Sequence, residues 1–340
     1  MTKRYLIAAG MLLGSLALLL LAAWGAFALW FQLPVTVLAR KFAVGAWLVF
    51  SIGTLALWWW QRHWLVPAPW LLAMVVVMGW WSTIKPSHDR VWADDVARMV
   101  TGKVEGGVVT LDQVRNFDWR SDTDYTPRWE TRSYDLKQLR TVDVAMSYWM
   151  GPAIAHTLVS FGFADGRYLT FSIEIRKERS ESFDGLAGFF KKYETVLIAA
   201  DERDILRVRT NVRGEDMWLY RLNMAPATMR SLFMAYLAEG EQLKREPHFY
   251  NTLTSNCTTI IFEMARRITP GLPLDWRLLA SGYLDRYLYD IGALAGSGDF
   301  KSLREQAHIT SKAHAADQAE DYSHRIRRAA RPAADSISLF

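Results

Sequence analysis

Residues 154–176 read IAHTLVSFGF, then ADGR, then YLTFSIEIR. Both arms alternate. Ala155, Val159, Phe161 and Phe163 share one face of the first, and Leu169, Phe171, Ile173 and Ile175 share one face of the second, the period of a β-hairpin. The two apolar faces must be buried together, which selects the loop. A three-residue turn with Gly166 in the left-handed region pairs Phe163 with Arg167, Phe161 with Leu169, Val159 with Phe171 and Thr157 with Ile173. A two-residue turn slips the register by one and mixes the faces. On the opposite face the chosen register sets Leu158 across from Ser172 and His156 across from Glu174. Such neighbours sit about 5 Å apart, close enough for a carboxylate to orient an imidazole. That face could equally be the wet side of an antiparallel sheet, with Glu174 and Ser172 merely solvated.

Residues 249–269, FYNTLTSNCTTIIFEMARRIT, carry the second signal. Ile260, Ile261, Met264 and Ile268 form one apolar stripe of a helix that starts near Asn256 or Cys257 and stops at Pro270-Gly271. Cys257 is the only cysteine, so an intramolecular disulfide and any multi-cysteine metal site are excluded. A thiol in the first turn of a helix meets unpaired N–H donors and the positive end of the dipole, which lower its pKa from about 8.5 and favour the thiolate. The bland alternative is a small buried hydrophobe. His248, nine residues upstream, is the competing base. Its neighbours Glu246 and Pro247 read as a loop, and the plain reading is a surface histidine.

The chain has 340 residues, 51% hydrophobic and 22% charged, with 16 Trp, too apolar for disorder and too charged to be all membrane. The net charge of +5 is local: Lys3, Arg4, Arg40, Lys41 and Arg62 are the only charges before Lys85, and beyond them basic and acidic residues balance. No nucleic-acid footprint remains, and the excess flanks membrane segments. Residues 6–29, 42–60 and 66–84 predict three transmembrane helices, with tryptophans ending the second and third and Pro67 and Pro69 in the first turn of the third. Lys3 and Arg4 with Ala26-Phe27-Ala28 also fit a cleaved signal peptide, but the apolar run exceeds the usual 7 to 15 or so residues. With the amino terminus inside, Lys3, Arg4 and Arg62 are cytoplasmic and Arg40, Lys41 and Lys85 are not, so charge does not settle orientation.

After a connector at 85–111, residues 112–293 read as a folded α+β domain and 294–340 as a polar, helical or flexible tail. His308, His314 and His324 in that tail read as solvated. The cluster Arg325, Arg327, Arg328 and Arg331 reads as a solvated helix face or a contact to anionic head groups. No GxGxxG, P-loop or HExxH pattern occurs, and neither cofactor nor metal is expected.

Four stretches in order, AHTLVSFGFADGRYLTFSIEIRKE at 155–178, GFFKKY at 188–193, DERDILRVRTNVRGEDMWLY at 201–220 and FYNTLTSNCTT at 249–259, resemble the Lnb-type periplasmic domain, a circularly permuted papain-like, NlpC-related module. The resemblance covers about residues 112–293 and leaves the membrane part outside. It implies a helix bearing Cys257 packed on an antiparallel sheet bearing His156, with Cys257 as nucleophile, His156 as base and no cofactor. It also implies lipoprotein N-acylation, in which an acyl chain passes from a phospholipid through a Cys257 thioester to a lipoprotein amino terminus. Glu174 or Ser172 would orient the histidine, and Asn256 and Tyr250 are the candidate oxyanion or substrate contacts. The implied location is a bacterial inner membrane with the catalytic domain in the periplasm. With water as acceptor the same pair gives an envelope hydrolase, a lipase-like enzyme or a peptidase or amidase. A membrane-anchored binding module would keep the fold without needing a reactive thiol.

Overall fold

The computed structural model describes residues 2–328, which form two compact units. The first contains the apolar helices α1 (Thr2–Gln32), α2 (Val37–Gln61) and α3 (Ala68–Thr83), together with residues 183–194 and 249–252. Helices α1 and α2, with 31 and 25 residues, are long and apolar enough to cross a membrane. The expected third span is shorter, because α3 has 16 residues. That is about 24 Å of helix against a hydrocarbon core of about 30 Å.

Most apolar side chains of these helices point outward. Inside the bundle, polar atoms are paired: Trp47 Nε1 donates to the Ala22 carbonyl at 2.8 Å and Trp70 Nε1 to Ser51 Oγ at 2.9 Å. Gly25 lets the Trp47 ring approach, since a Cβ there would lie 2.8 Å from Cζ2. The GFFKKY stretch closes this unit. Phe190 packs against Phe27, Phe31 and Trp81, Gln32 Nε2 donates to the carbonyls of Phe190 and Lys191 at 2.8 and 2.7 Å, and Lys191 Nζ donates to the Trp81 carbonyl at 2.9 Å. Nothing in its local pattern announced that role.

The second unit is built on strands β1 (Thr101–Glu105), β2 (Val108–Arg115), β3 (Asp118–Trp119), β4 (Tyr125–Thr126), β5 (Trp129–Asp135), β6 (Leu139–Tyr148), β7 (Ala155–Phe163), β8 (Tyr168–Arg176), β9 (Glu194–Ala200) and β10 (Asp216–Arg221). Its helices are α4 (Glu202–Arg207), α5 (Pro226–Arg245), α6 (Cys257–Ile268), α7 (Leu284–Asp290), α8 (Phe300–Ala307), α9 (Thr310–Ala316) and α10 (Tyr322–Arg325). The main sheet runs β1-β2-β9-β8-β7-β6-β10, with β5 also on β2. It is mixed, because β2 and β9 are parallel while β6, β7, β8 and β10 pair antiparallel. The class is α+β. The sheet reaches back past the expected boundary at residue 112: β1 belongs to it, and β2 runs across that boundary.

The central hairpin has the register that alternation demanded. Val159 pairs with Phe171, Phe161 with Leu169 and Leu158 with Ser172, and Gly166 takes φ +84° in the turn. On the apolar face Phe161 meets Phe233 edge to face at 5.1 Å and Phe171 stacks on Tyr236 at 4.7 Å, which packs α5 onto the hairpin. Each such ring contributes about 1.5–3 kcal/mol by burial.

The other face is not wet. Leu158, Val196 and Ile198 are covered by Ile205 of α4, Ala313 of α9, and Tyr322 and Ile326 of the last helical turn. The charged residues of this face are paired instead of hydrated: Ser160 donates to Glu202, and Arg327 reaches Glu202 Oε1 at 2.6 Å and Asp143 Oδ2 at 2.8 Å, with its guanidinium 3.8 Å from the Tyr168 ring centre. Both sheet faces are therefore buried, and residues 309–326 supply much of the second cover. Arg327 is neither solvated nor available to a head group, while Arg331 lies outside the described residues. His308 is likewise engaged, bonded to Asp216 and tilted onto Trp218 at 4.7 Å.

Candidate active site

Helix α6 starts where the sequence indicated. Asn256 is its N-cap: the side-chain oxygen accepts the N–H groups of Thr258 and Thr259 at 2.9 Å each, and Thr259 Oγ1 accepts the Asn256 N–H at 2.9 Å. This reciprocal cap fixes the first turn, and with it Cys257. Thr258 Oγ1 lies 3.1 Å from Thr157 Oγ1, which pins that turn to β7. Cys257 and His156 thus face each other closely enough for each to shift the other's titration, with the Thr157 backbone also favouring the thiolate. Both side chains are buried.

His156 is the second residue of β7. Its Nε2 is 2.7 Å from Ser172 Oγ and 3.2 Å from Glu174 Oε1, while the Ser172 hydroxyl donates to that same Glu174 oxygen at 2.7 Å. With the serine proton committed to Glu174, Nε2 is the donor in this contact. The alternative in which Glu174 and Ser172 are only solvated does not hold.

Behind Glu174 stand groups that the sequence did not reveal. Arg209 Nη2 donates to Glu174 Oε1 at 2.8 Å and Nη1 to Glu215 Oε2 at 3.3 Å, and Ser147 also donates to Glu215. Ser147 pairs with His156 in the β6–β7 register, so the network leaves the histidine on one strand and returns beside it on another. Arg209 sits on a π-helical turn, Val208–Val212, a local widening common at functional sites. No spacing rule marks Arg209 and Glu215, and their role follows only from packing.

The charges order the titrations. Burial by itself lowers the His156 pKa, but the Glu174 carboxylate outweighs it and, with Cys257 adding to the effect against Arg209, pushes it up to about 9. Burial raises the Cys257 thiol, yet the His156 charge and hydrogen bond, aided by the Thr157 N–H, hold it below its ordinary value. Glu174, despite burial, is held well below the usual carboxylate range by His156 and Arg209. Both shifts run toward the charged forms, an imidazolium beside a thiolate.

The remaining expected residues lie elsewhere. His248 is exposed; its carbonyl accepts the Thr195 N–H at 2.8 Å, and it lines a cleft of about 250 Å³ between α5 and α6 with Glu239, Glu263 and Arg267. Tyr250 belongs to the first unit, where its N–H donates to the Tyr193 carbonyl at 2.9 Å. Among the described residues no group of three or more His, Cys, Asp or Glu has metal-binding geometry.

Residues 125–282 match the family model described as the Lnb N-terminal periplasmic domain. Comparison with curated proteins and with solved structures gives no match. The matched region holds His156, Ser172, Glu174, Arg209 and Cys257 and leaves out the apolar helices. Residues 125–282 are therefore an Lnb-type periplasmic domain, in a chain whose apolar amino-terminal helices fit a membrane anchor.

Proposed function

We propose that the protein is a membrane-anchored cysteine acyltransferase of the cell envelope, which moves an acyl chain from a phospholipid to the amino terminus of a lipoprotein. The observation that carries this reading is the junction of β7 with the capped first turn of α6, where the Thr157–Thr258 contact sets His156 beside Cys257 and the charges around them favour imidazolium and thiolate. The domain is read as a permuted papain-like module, with His156 ahead of Cys257 in the chain. Three spans, the third being the shorter α3, would put residues 85–340 outside the cytoplasmic membrane.

The chemistry balances on these groups. The thiolate attacks the ester carbonyl carbon, the first-turn N–H of Cys257 and the Asn256 side chain face the developing oxyanion, and the ester C–O bond breaks as His156 gives its proton to the leaving alkoxide. The products are a thioester and a lysophospholipid. A neutral amine then attacks the thioester, His156 takes the amine proton, and breakage of the C–S bond restores the thiolate. Glu174 and Ser172 hold the imidazole in one orientation through both steps. Anchoring raises the effective concentration of the lipid donor.

Mass spectrometry of the lipid-exposed full chain tests this directly. The expected result is a fatty-acyl adduct on the Cys257 peptide that an added amine-terminal lipopeptide discharges. Discharge to water alone would indicate an envelope lipase. A reactive thiol that never acquires an acyl group would indicate a peptidase or amidase.

A further inference from the structure

The turn that precedes β7 and the segment that precedes α7 are joined backbone to backbone beside His156. The Gly282 N–H donates to the Ala153 carbonyl at 3.0 Å, Ser281 Oγ bonds both the N–H and the carbonyl of Ala155 at 3.0 and 2.7 Å, and the Tyr148 hydroxyl donates to the Gly282 carbonyl at 2.7 Å. A Cβ on Gly282 would lie 2.1 Å from the Pro152 oxygen, so the two segments touch and move as one.

This joined surface is apolar where it meets solvent. Met150 is 57% exposed, Leu274 73%, Trp276 62% and Leu279 54%, and the Trp276 ring lies 5.3 Å from that of Tyr283. Large side chains in such a cluster gain nothing from the fold and in soluble proteins mark an interaction surface. The charge among them is already neutralised: Arg277 bonds Asp275 at 2.8 Å and Asp290 at 2.6 Å. The mixture of Trp and Tyr with Leu and Met is that of side chains at the boundary of head groups and acyl chains. The chain also carries helices fit to hold it at a membrane.

We propose that this surface docks into the interfacial layer of a phospholipid bilayer, so that the start of β7 and the Cys257–His156 pair face the lipid. The purpose of the docking rests on the lipid-ester reading above, but its test does not. The full chain carrying Cys257→Ser, reconstituted in phospholipid vesicles, is given one new cysteine by Leu274→Cys, Leu279→Cys or, as a control outside the surface, Lys301→Cys, and labelled with an environment-sensitive fluorophore. Probes at 274 and 279 are expected to emit at shorter wavelength than the probe at 301. They should also be quenched by lipids carrying a nitroxide near the head group, the depth of about 5–10 Å reached by interfacial side chains. Equal emission and no quenching at all three positions would overturn the proposal. A shift that grows with protein concentration without lipid quenching would also overturn it and assign the surface to a second copy of the chain. Because Cys257 is replaced throughout, quenched probes beside a wild-type chain that never gains an acyl adduct would reject the reaction and leave the docking standing.

Discussion

Glu174 Oε1 stands 3.2 Å from His156 Nε2 across neighbouring strands, and Ser172 Oγ lies 2.7 Å from each of the two atoms. Two side chains of one strand thus set the imidazole of its neighbour in a fixed plane, and Arg209 fixes the carboxylate from behind. The hydrogen bonds orient the ring, and the charge keeps it protonated.

Replacing Glu174 by Gln keeps most of the shape and removes the charge. The His156 pKa is held up at about 9 mainly by that charge, so in Glu174→Gln it falls, the imidazolium is lost at lower pH, and the Cys257 thiol in turn becomes harder to ionise. The rate of alkylation by iodoacetamide near neutral pH should drop, with the onset of reactivity displaced to higher pH. An unchanged profile would show that Glu174 does not govern the pair.

Cys257→Ser and His156→Ala should each abolish thioester formation while the far-ultraviolet dichroism of the folded chain persists. His248→Ala should leave most of it, because His248 lines the cleft between α5 and α6 whereas His156 is the group whose charge holds the Cys257 thiol down. Intact-mass measurement after lipid exposure decides between them. Loss of the adduct in His248→Ala with retention in His156→Ala would reverse the assignment.

Gly282→Ala should disturb the site without touching it. The added carbon meets the Pro152 oxygen at 2.1 Å, and backbone cannot yield as a flexible side chain can. Overpacking of this kind costs about 1–3 kcal/mol or more. The expected outcome is a lower denaturation midpoint together with slower alkylation of Cys257, since the displaced turn leads directly into Ala155 and His156. Gly185→Ala, where no atom lies within 4 Å of the added carbon, is the control expected to change neither.

Arg327→Met should be among the most destabilising changes in the carboxyl-terminal region. It strips Asp143 and Glu202 of a shared buried partner, and breaking one side of a buried ion pair costs about 3–5 kcal/mol. Arg325→Ala removes only a half-exposed bond to Asp321, and such surface pairs contribute about 0–1 kcal/mol. Chemical denaturation of the two variants should separate them clearly. Similar midpoints would mean that the last helices do not seal the sheet.

The site was legible in the sequence to an uneven degree. His156 and Glu174 could be set across from each other because a strand has period two and Gly166 permits only one turn that keeps Phe161 on Leu169. Cys257 could be placed at a helix start because Asn256 caps and Pro270 with Gly271 terminates. Arg209 and Glu215 could not be found, since the partners that tie them to the histidine, Glu174 and Ser147, lie 35 and 68 residues away in the chain. The alternation that revealed the hairpin also misled, because buried serines and carboxylates look the same in a sequence as solvated ones.

What the sequence by itself determined are the features that near neighbours decide: the apolar helices at the amino end, the hairpin and its register, the start and stop of α6, and the order of motifs of an Lnb-type domain. Tertiary structure alone decided that the polar face of the hairpin is buried, that residues 188–193 fold with the apolar helices, and that Arg327 seals the far side of the sheet. The physical reason is the range of the forces. Periodicity and capping act within a turn or a strand, whereas a buried charge is tolerated only where packing brings a counter-charge to it from elsewhere in the chain.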